Sequence, residues 1–129
     1  MPISLTLLAA VGILYIVFGA IVGATRSKTK TNIGLGDDKR LLLASRAHGN
    51  LTEWAPMPLM LIAAMEYLGA SAVMLTSLAI GYFVVRTLHS IGILKDGEKP
   101  HPFRIIGAVG NLIVIVWGSI YVGLYAGAF

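Results

Sequence analysis

The chain contains no cysteine. That excludes a disulfide framework and a thiolate metal site, so any sulfur chemistry must arrive with a ligand. Charge is scarce as well: 12% of residues are Asp, Glu, Lys or Arg against 57% hydrophobic, and the mean hydropathy is +0.82. An ordinary soluble domain is thereby excluded, and 129 residues leave room for one domain in a membrane. The stretch Met1 to Ala24 lacks acidic residues altogether. It also lacks the basic start of a secretory signal, and its apolar run is too long for one, so it reads as a retained helix.

What the chain does have is four apolar segments: Ile3 to Thr25, Leu41 to Leu68, Ser71 to Leu94 and Phe103 to Ala128. Each approaches or exceeds the ~20 residues that cross ~30 Å of hydrocarbon as a helix. The expected fold is an all-α membrane protein, a four-transmembrane-helix up-down bundle, because helices satisfy their own backbone in lipid. The net charge of +4 does not indicate a nucleic-acid partner, since the ten basic residues mostly flank apolar segments, where they act as topology signals. The first link, "RSKTKTNIGLGDDKR", carries Arg26, Lys28, Lys30, Lys39 and Arg40 and belongs on the cytoplasmic side. A short turn at Gly69 to Ser71 has no basic residue, and "KDGEKPHP" returns to the basic side. Both termini are then expected on the outer face. The start of helix two, the end of helix three and the start of helix four share the inner one.

All the notable intramembrane polar residues fall in those three places. Arg46, Asn50 and Glu53 lie within an arc of about 60° on helix two, Arg86 and His89 are neighbours on helix three, and Arg104 opens helix four. A charge at mid-helix costs about 2.5 to 3.5 kcal/mol on insertion scales, so these groups should pair or face a hydrated cavity. Glu53 with Arg86 is the expected pair, tying helices two and three together with help from Asn50. That pair leaves Arg46, His89 and Arg104 over, and the surplus positive charge suggests a pocket for an anion.

Other residues have blander roles. Pro56 and Pro58 are expected to kink helix two, Glu66 to be solvated at its outer end, and His48 and His101 to be interfacial, lacking metal-ligand spacing. Trp54, Trp117, Tyr121 and Tyr125 read as packing or interface residues. Gly107, Gly110 and Gly118, with Gly12, Gly19 and Gly23, permit close helix contact.

The spaced motif Arg46-Ala47-x-x-Asn50-x-x-Glu53-x-x-Pro56, with Arg86-x-x-His89 and Arg104, resembles the MAPEG proteins, the membrane-associated proteins in eicosanoid and glutathione metabolism. The stretch "GLGDDKRLLLASRAHGNLTEWAPMPL" resembles the family's small bacterial branch. The resemblance implies a homotrimer in a bacterial inner membrane, with glutathione held between subunits near the cytoplasmic face. It assigns glutathione contacts to Arg46, Asn50, Glu53, Arg86 and His89, with Arg26 as an addition. Arg104, supplied by the neighbouring subunit, would stand beside the thiol and stabilise the thiolate, which attacks a lipophilic electrophile or hydroperoxide. Two positions depart from the family pattern: Ile93 stands where several members have Tyr, and Gly49 where several have a basic residue before the Asn. A noncatalytic lipid-binding scaffold of the same architecture is the alternative. A small multidrug transporter is a third reading, but such proteins resemble exchangers with an essential Glu in helix one, and none is present here.

Overall fold

Asp38, Ser71 and His101 each accept a nearby backbone N–H, from Arg40 at 2.8 Å, Met74 at 3.3 Å and Phe103 at 3.2 Å. Such N-caps satisfy amides that a helix start leaves unpaired, and they fix where three helices begin. At Asp38 the side chain and backbone of Arg40 hold the carboxyl down at about 2. The computed structural model describes residues 2–96 and 99–127. Its helices are α1 (Pro2–Thr29), α2 (Lys39–Trp54), α3 (Pro56–Tyr67), α4 (Ala72–Leu94) and α5 (Pro102–Tyr125), with no strand among the described residues. Three of them, α1, α4 and α5, are each long and apolar enough to cross a membrane.

The second apolar segment differs from the single helix expected over 41–68: it is two helices, of 16 and 12 residues, separated at Ala55. Neither is long enough to span alone; end to end they reach roughly 42 Å. Pro56 and Pro58 cause the break. Lacking N–H groups, they cannot donate to the carbonyls of Thr52 and Trp54, four residues back, and Pro56 instead serves as the first residue of α3. Helix one runs four residues further at its C-terminal end than expected, taking in Arg26 and Lys28, and the last ends at Tyr125. Ala128, where the sequence pattern placed that end, lies outside the described residues, as do Gly97 and Glu98 of the third link.

Burial repeats every three or four residues. Leu7, Val11, Leu14 and Phe18 are buried on α1, Leu75, Ala79, Tyr82, Arg86, His89 and Ile93 on α4, and Gly107, Asn111, Val114 and Gly118 on α5. This alternation keeps one stripe of each helix on the bundle axis, the pattern of nearly aligned helices packed side by side. Contacts fix the antiparallel order of α4 and α5: Gly92 abuts Arg104, Gly107 abuts His89, and a Cβ at Gly110 would come within 2.7 Å of Val85 Cγ1. Gly118 packs on Leu61 of α3. These small residues therefore serve packing within the chain, whereas Gly12 and Gly23 face open space.

Glu66 is not simply solvated, as its position at the end of a helix had suggested. Its carboxylate accepts from the backbone of Ile3 (3.1 Å) and Ser4 (2.9 Å) and from the Ser4 hydroxyl (2.5 Å). The sequence separation hid this cap: the antiparallel path brings the end of α3 back to the start of α1, whose unpaired amides attract a carboxylate.

Candidate functional site

Arg86 and His89 occupy buried stripe positions of α4, so both are carried onto the bundle axis by the helix repeat itself. Arg86 is 1% exposed. Its Nη2 donates to the backbone oxygen of Asn50 at 2.6 Å and to Asn50 Oδ1 at 2.5 Å, while its Nε has no partner. The expected Glu53–Arg86 ion pair is absent. Asn50 takes the guanidinium because it lies toward α4, whereas Glu53 is exposed on the outer side of α2. An amide-and-carbonyl acceptor thus replaces a carboxylate at this depth and leaves the cation without an anionic mate among the described residues.

His89 Nδ1 lies 2.8 Å from the carbonyl oxygen of Arg104. A carbonyl only accepts, so Nδ1 carries the proton and Nε2 is left as the ring's acceptor in the neutral form. Together Asn50, Arg86 and His89 form one wall of a cavity of about 160 Å³, whose other polar contributor is Asn111 of α5. Trp54 and Leu112 line it on the apolar side, and both are about half exposed on the outer surface. Trp54 is therefore a wall of the cavity rather than packing alone.

Asn111 was not singled out in the sequence, although the signal existed: it is the lone amide in the apolar run from Ile105 to Val116. It falls on the buried stripe of α5, four residues after Gly107 and three before Val114.

The remaining candidates lie elsewhere. Arg46 is exposed on the same outer side of α2 as Glu53, away from the buried Leu41, Ala44, Ala47 and Leu51. Arg104 is held through its Nη1 by Asp96, whose second oxygen accepts from the His101 backbone at 2.9 Å. Burial works to raise the Asp96 carboxyl; the His101 N–H and the Arg104 guanidinium outweigh it and hold it below the ordinary value. Asp96 is thus a partner that intramembrane charge alone does not reveal, because it sits in a loop eight residues from Arg104. Arg26 does not join the cluster: its Nη1 donates to the carbonyl of Gly34 at 2.8 Å, with longer contacts to Thr31 and Asn32, and so folds the loop after α1.

The structure therefore brings Asn50, Arg86, His89 and the Arg104 backbone together, and sets Arg46 and Glu53 on an adjoining outward stripe. Among known families, the model of the MAPEG family matches residues 4–124 of the chain. No curated protein matches the sequence.

Proposed function

The chain belongs to the MAPEG family, and from that premise we propose that it is a glutathione-dependent membrane transferase or peroxidase acting on lipophilic electrophiles or hydroperoxides. The observation that carries this reading is the outward stripe. Arg46 and Glu53 project from a segment flanked by spanning helices, on its side away from the core. Exposed to lipid, each charge would be costly, so a neighbouring subunit and a polar ligand are the natural cover. A homotrimer supplies the subunit, and glutathione supplies the ligand. Its carboxylates suit Arg46 and Arg86, and its ammonium suits Glu53, all as charge-assisted bonds. Asn50 and His89 complete the contacts, with Arg26 at the rim.

Arg104 is the proposed catalytic cation. A guanidinium near sulfur favours the thiolate, which is the nucleophile. In conjugation the thiolate forms a sulfur–carbon bond as the leaving group departs with its electron pair. In peroxide reduction it attacks the terminal oxygen, the O–O bond breaks with the alkoxide leaving as the alcohol, and a second thiol displaces water from the resulting sulfenic acid to form the disulfide. Asp96 engages only one guanidinium nitrogen and leaves the other donors free for this role.

Calorimetry on detergent-purified protein tests the reading: glutathione should bind, and Arg46→Ala or Glu53→Ala should each weaken it about tenfold. No heat or thermal shift at millimolar glutathione would refute it. One observation favours a second reading, a lipid-binding member without catalysis: Ile93, at the position where relatives carry a glutathione-contacting Tyr, is a 4% exposed core residue. Ligand binding with no conjugation of a chloronitrobenzene would select that alternative.

A further inference from the structure

Among the described residues, Lys30 is the one other than glycine whose backbone is left-handed, with φ at 52°. It stands just past α1, where the Thr31 N–H donates to the Arg26 carbonyl at 3.1 Å and the Lys30 N–H to that of Ser27 at 3.4 Å. Those two bonds make a Schellman turn, whose left-handed position is usually glycine because a Cβ there is strained. A lysine kept at such a place argues for a use of its ammonium.

The turn also sets the course of the loop that follows. Instead of running out into water, residues 31 to 34 fold back on α1: Arg26, three residues inside the helix end, holds the Gly34 carbonyl through Nη1 at 2.8 Å. Gly34 and Gly36, with φ at 77° and 57°, complete the bend. Ile33 is 92% exposed on this held loop and Leu35 is exposed beside it. Lys28 and Lys30 are exposed as well, with no carboxylate partner among the described residues, since Asp38 pairs with Arg40. Depth gives the combination a meaning. The 28 residues of α1 reach roughly 42 Å, against ~30 Å of hydrocarbon and ~40–45 Å with headgroups, so its last turn and the loop folded on it stand in the headgroup layer.

We propose that the loop after α1 is a binding site for anionic phospholipid, with Lys28 and Lys30 on the headgroup phosphate and Ile33 set among the upper acyl carbons. Cations flanking a bare aliphatic side chain are what an interfacial anchor presents. Phosphatidylcholine fits less well, because its own ammonium cancels the phosphate. The site needs neither glutathione nor a reaction, so it stands or falls apart from the proposed function.

The lack of native cysteine allows an environment-sensitive fluorophore to be placed at Ile33→Cys. It is read in nanodiscs, where both membrane faces are open. Adding phosphatidylglycerol to phosphatidylcholine discs should shift the emission to the blue and cut quenching by acrylamide, and salt on the order of 1 M should reverse both. Lys28→Gln and Lys30→Gly should each weaken the phosphatidylglycerol response about fivefold. Lys30→Gly, which relieves the turn, should melt no lower than its parent. On the unlabelled chain in micelles, phosphatidylglycerol should raise the melting temperature, and Ile33→Ser should lose that rise. Equal signals in the two kinds of disc, unaltered responses in the lysine variants, or no thermal rise would overturn the inference. So would a fluorophore already shielded in plain detergent, since a neighbouring subunit then covers the loop, or an equal response to inorganic phosphate, which would make it a general anion site. A Lys30→Gly protein that melts lower overturns the role given to that ammonium.

Discussion

Asp96 illustrates how one loop carboxylate organises the start of α5. It fixes the His101 backbone and the Arg104 side chain at once, and His89 holds the Arg104 carbonyl from the other side. The Asp96 carboxyl is depressed in the folded protein. It therefore contributes stability above its unfolded pKa of ~3.9, and that contribution is lost as pH falls through the lower folded value. Thermal scans across acid pH should show the native protein losing melting temperature below about pH 4 more steeply than Asp96→Asn. At neutral pH the variant should be less stable by on the order of 1 kcal/mol, the net worth of a hydrogen bond lost. Parallel pH profiles for the two proteins would show that the carboxylate does not have this role. Arg86 makes a contrasting case. Arg86→Met removes a buried cation with no anionic mate among the described residues, and replacing buried charge by apolar residues of similar volume is often neutral or stabilising. Its melting temperature should hold or rise while glutathione affinity falls about tenfold or more, read by thermal shift and calorimetry on one sample.

Helix spacing was legible in the sequence because hydrophobic length and periodicity are local properties: the ends of α4 and the start of α5 follow the pattern to within a residue or two. The polar partners were not, because they depend on which way α2 turns its faces after the chain has folded. Spacing alone put Arg46, Asn50 and Glu53 on one stripe, whereas Asn50 reaches α4 and Arg46 and Glu53 lie exposed on the adjoining outward side of α2. Glu66 was misread for the same reason, its ligands being more than sixty residues away. Close packing of α4 on α5 makes a sharp prediction at this scale. Gly107→Val would drive a side chain into His89 and the Val85 carbonyl, with both neighbours on rigid helix backbone. It should cost about 1 to 3 kcal/mol or more and release the His89–Arg104 bond. Gly12→Ala, with nothing within 4 Å, should instead stabilise by up to ~1 kcal/mol through helix propensity alone. Thermal unfolding in one detergent compares them; a tolerated Gly107→Val would mean that the α4–α5 contact is looser than the structure has it.

Charge at the scale of the whole molecule is segregated by end. The loop after α1 and the start of α2 carry Arg26, Lys28, Lys30, Lys39 and Arg40, and Lys95 and Lys99 come to the same end, because α4 finishes where α5 begins. The opposite end has no Lys or Arg between Tyr67 and Ala72. Positive loops are retained in the cytoplasm, so the basic end, with the cavity and Arg104 nearer to it, should face inward, where glutathione is abundant in cells that make it. The lack of native cysteine makes this measurable without background. Ile33 and Tyr67, 92% and 80% exposed, sit at opposite ends of the bundle. An impermeant maleimide applied to intact cells should label Tyr67→Cys and spare Ile33→Cys, with both labelled after permeabilisation. Reversed labelling would put the site on the outer side, away from cytoplasmic thiols, and would force the charge segregation to be explained by contacts between subunits instead of by insertion.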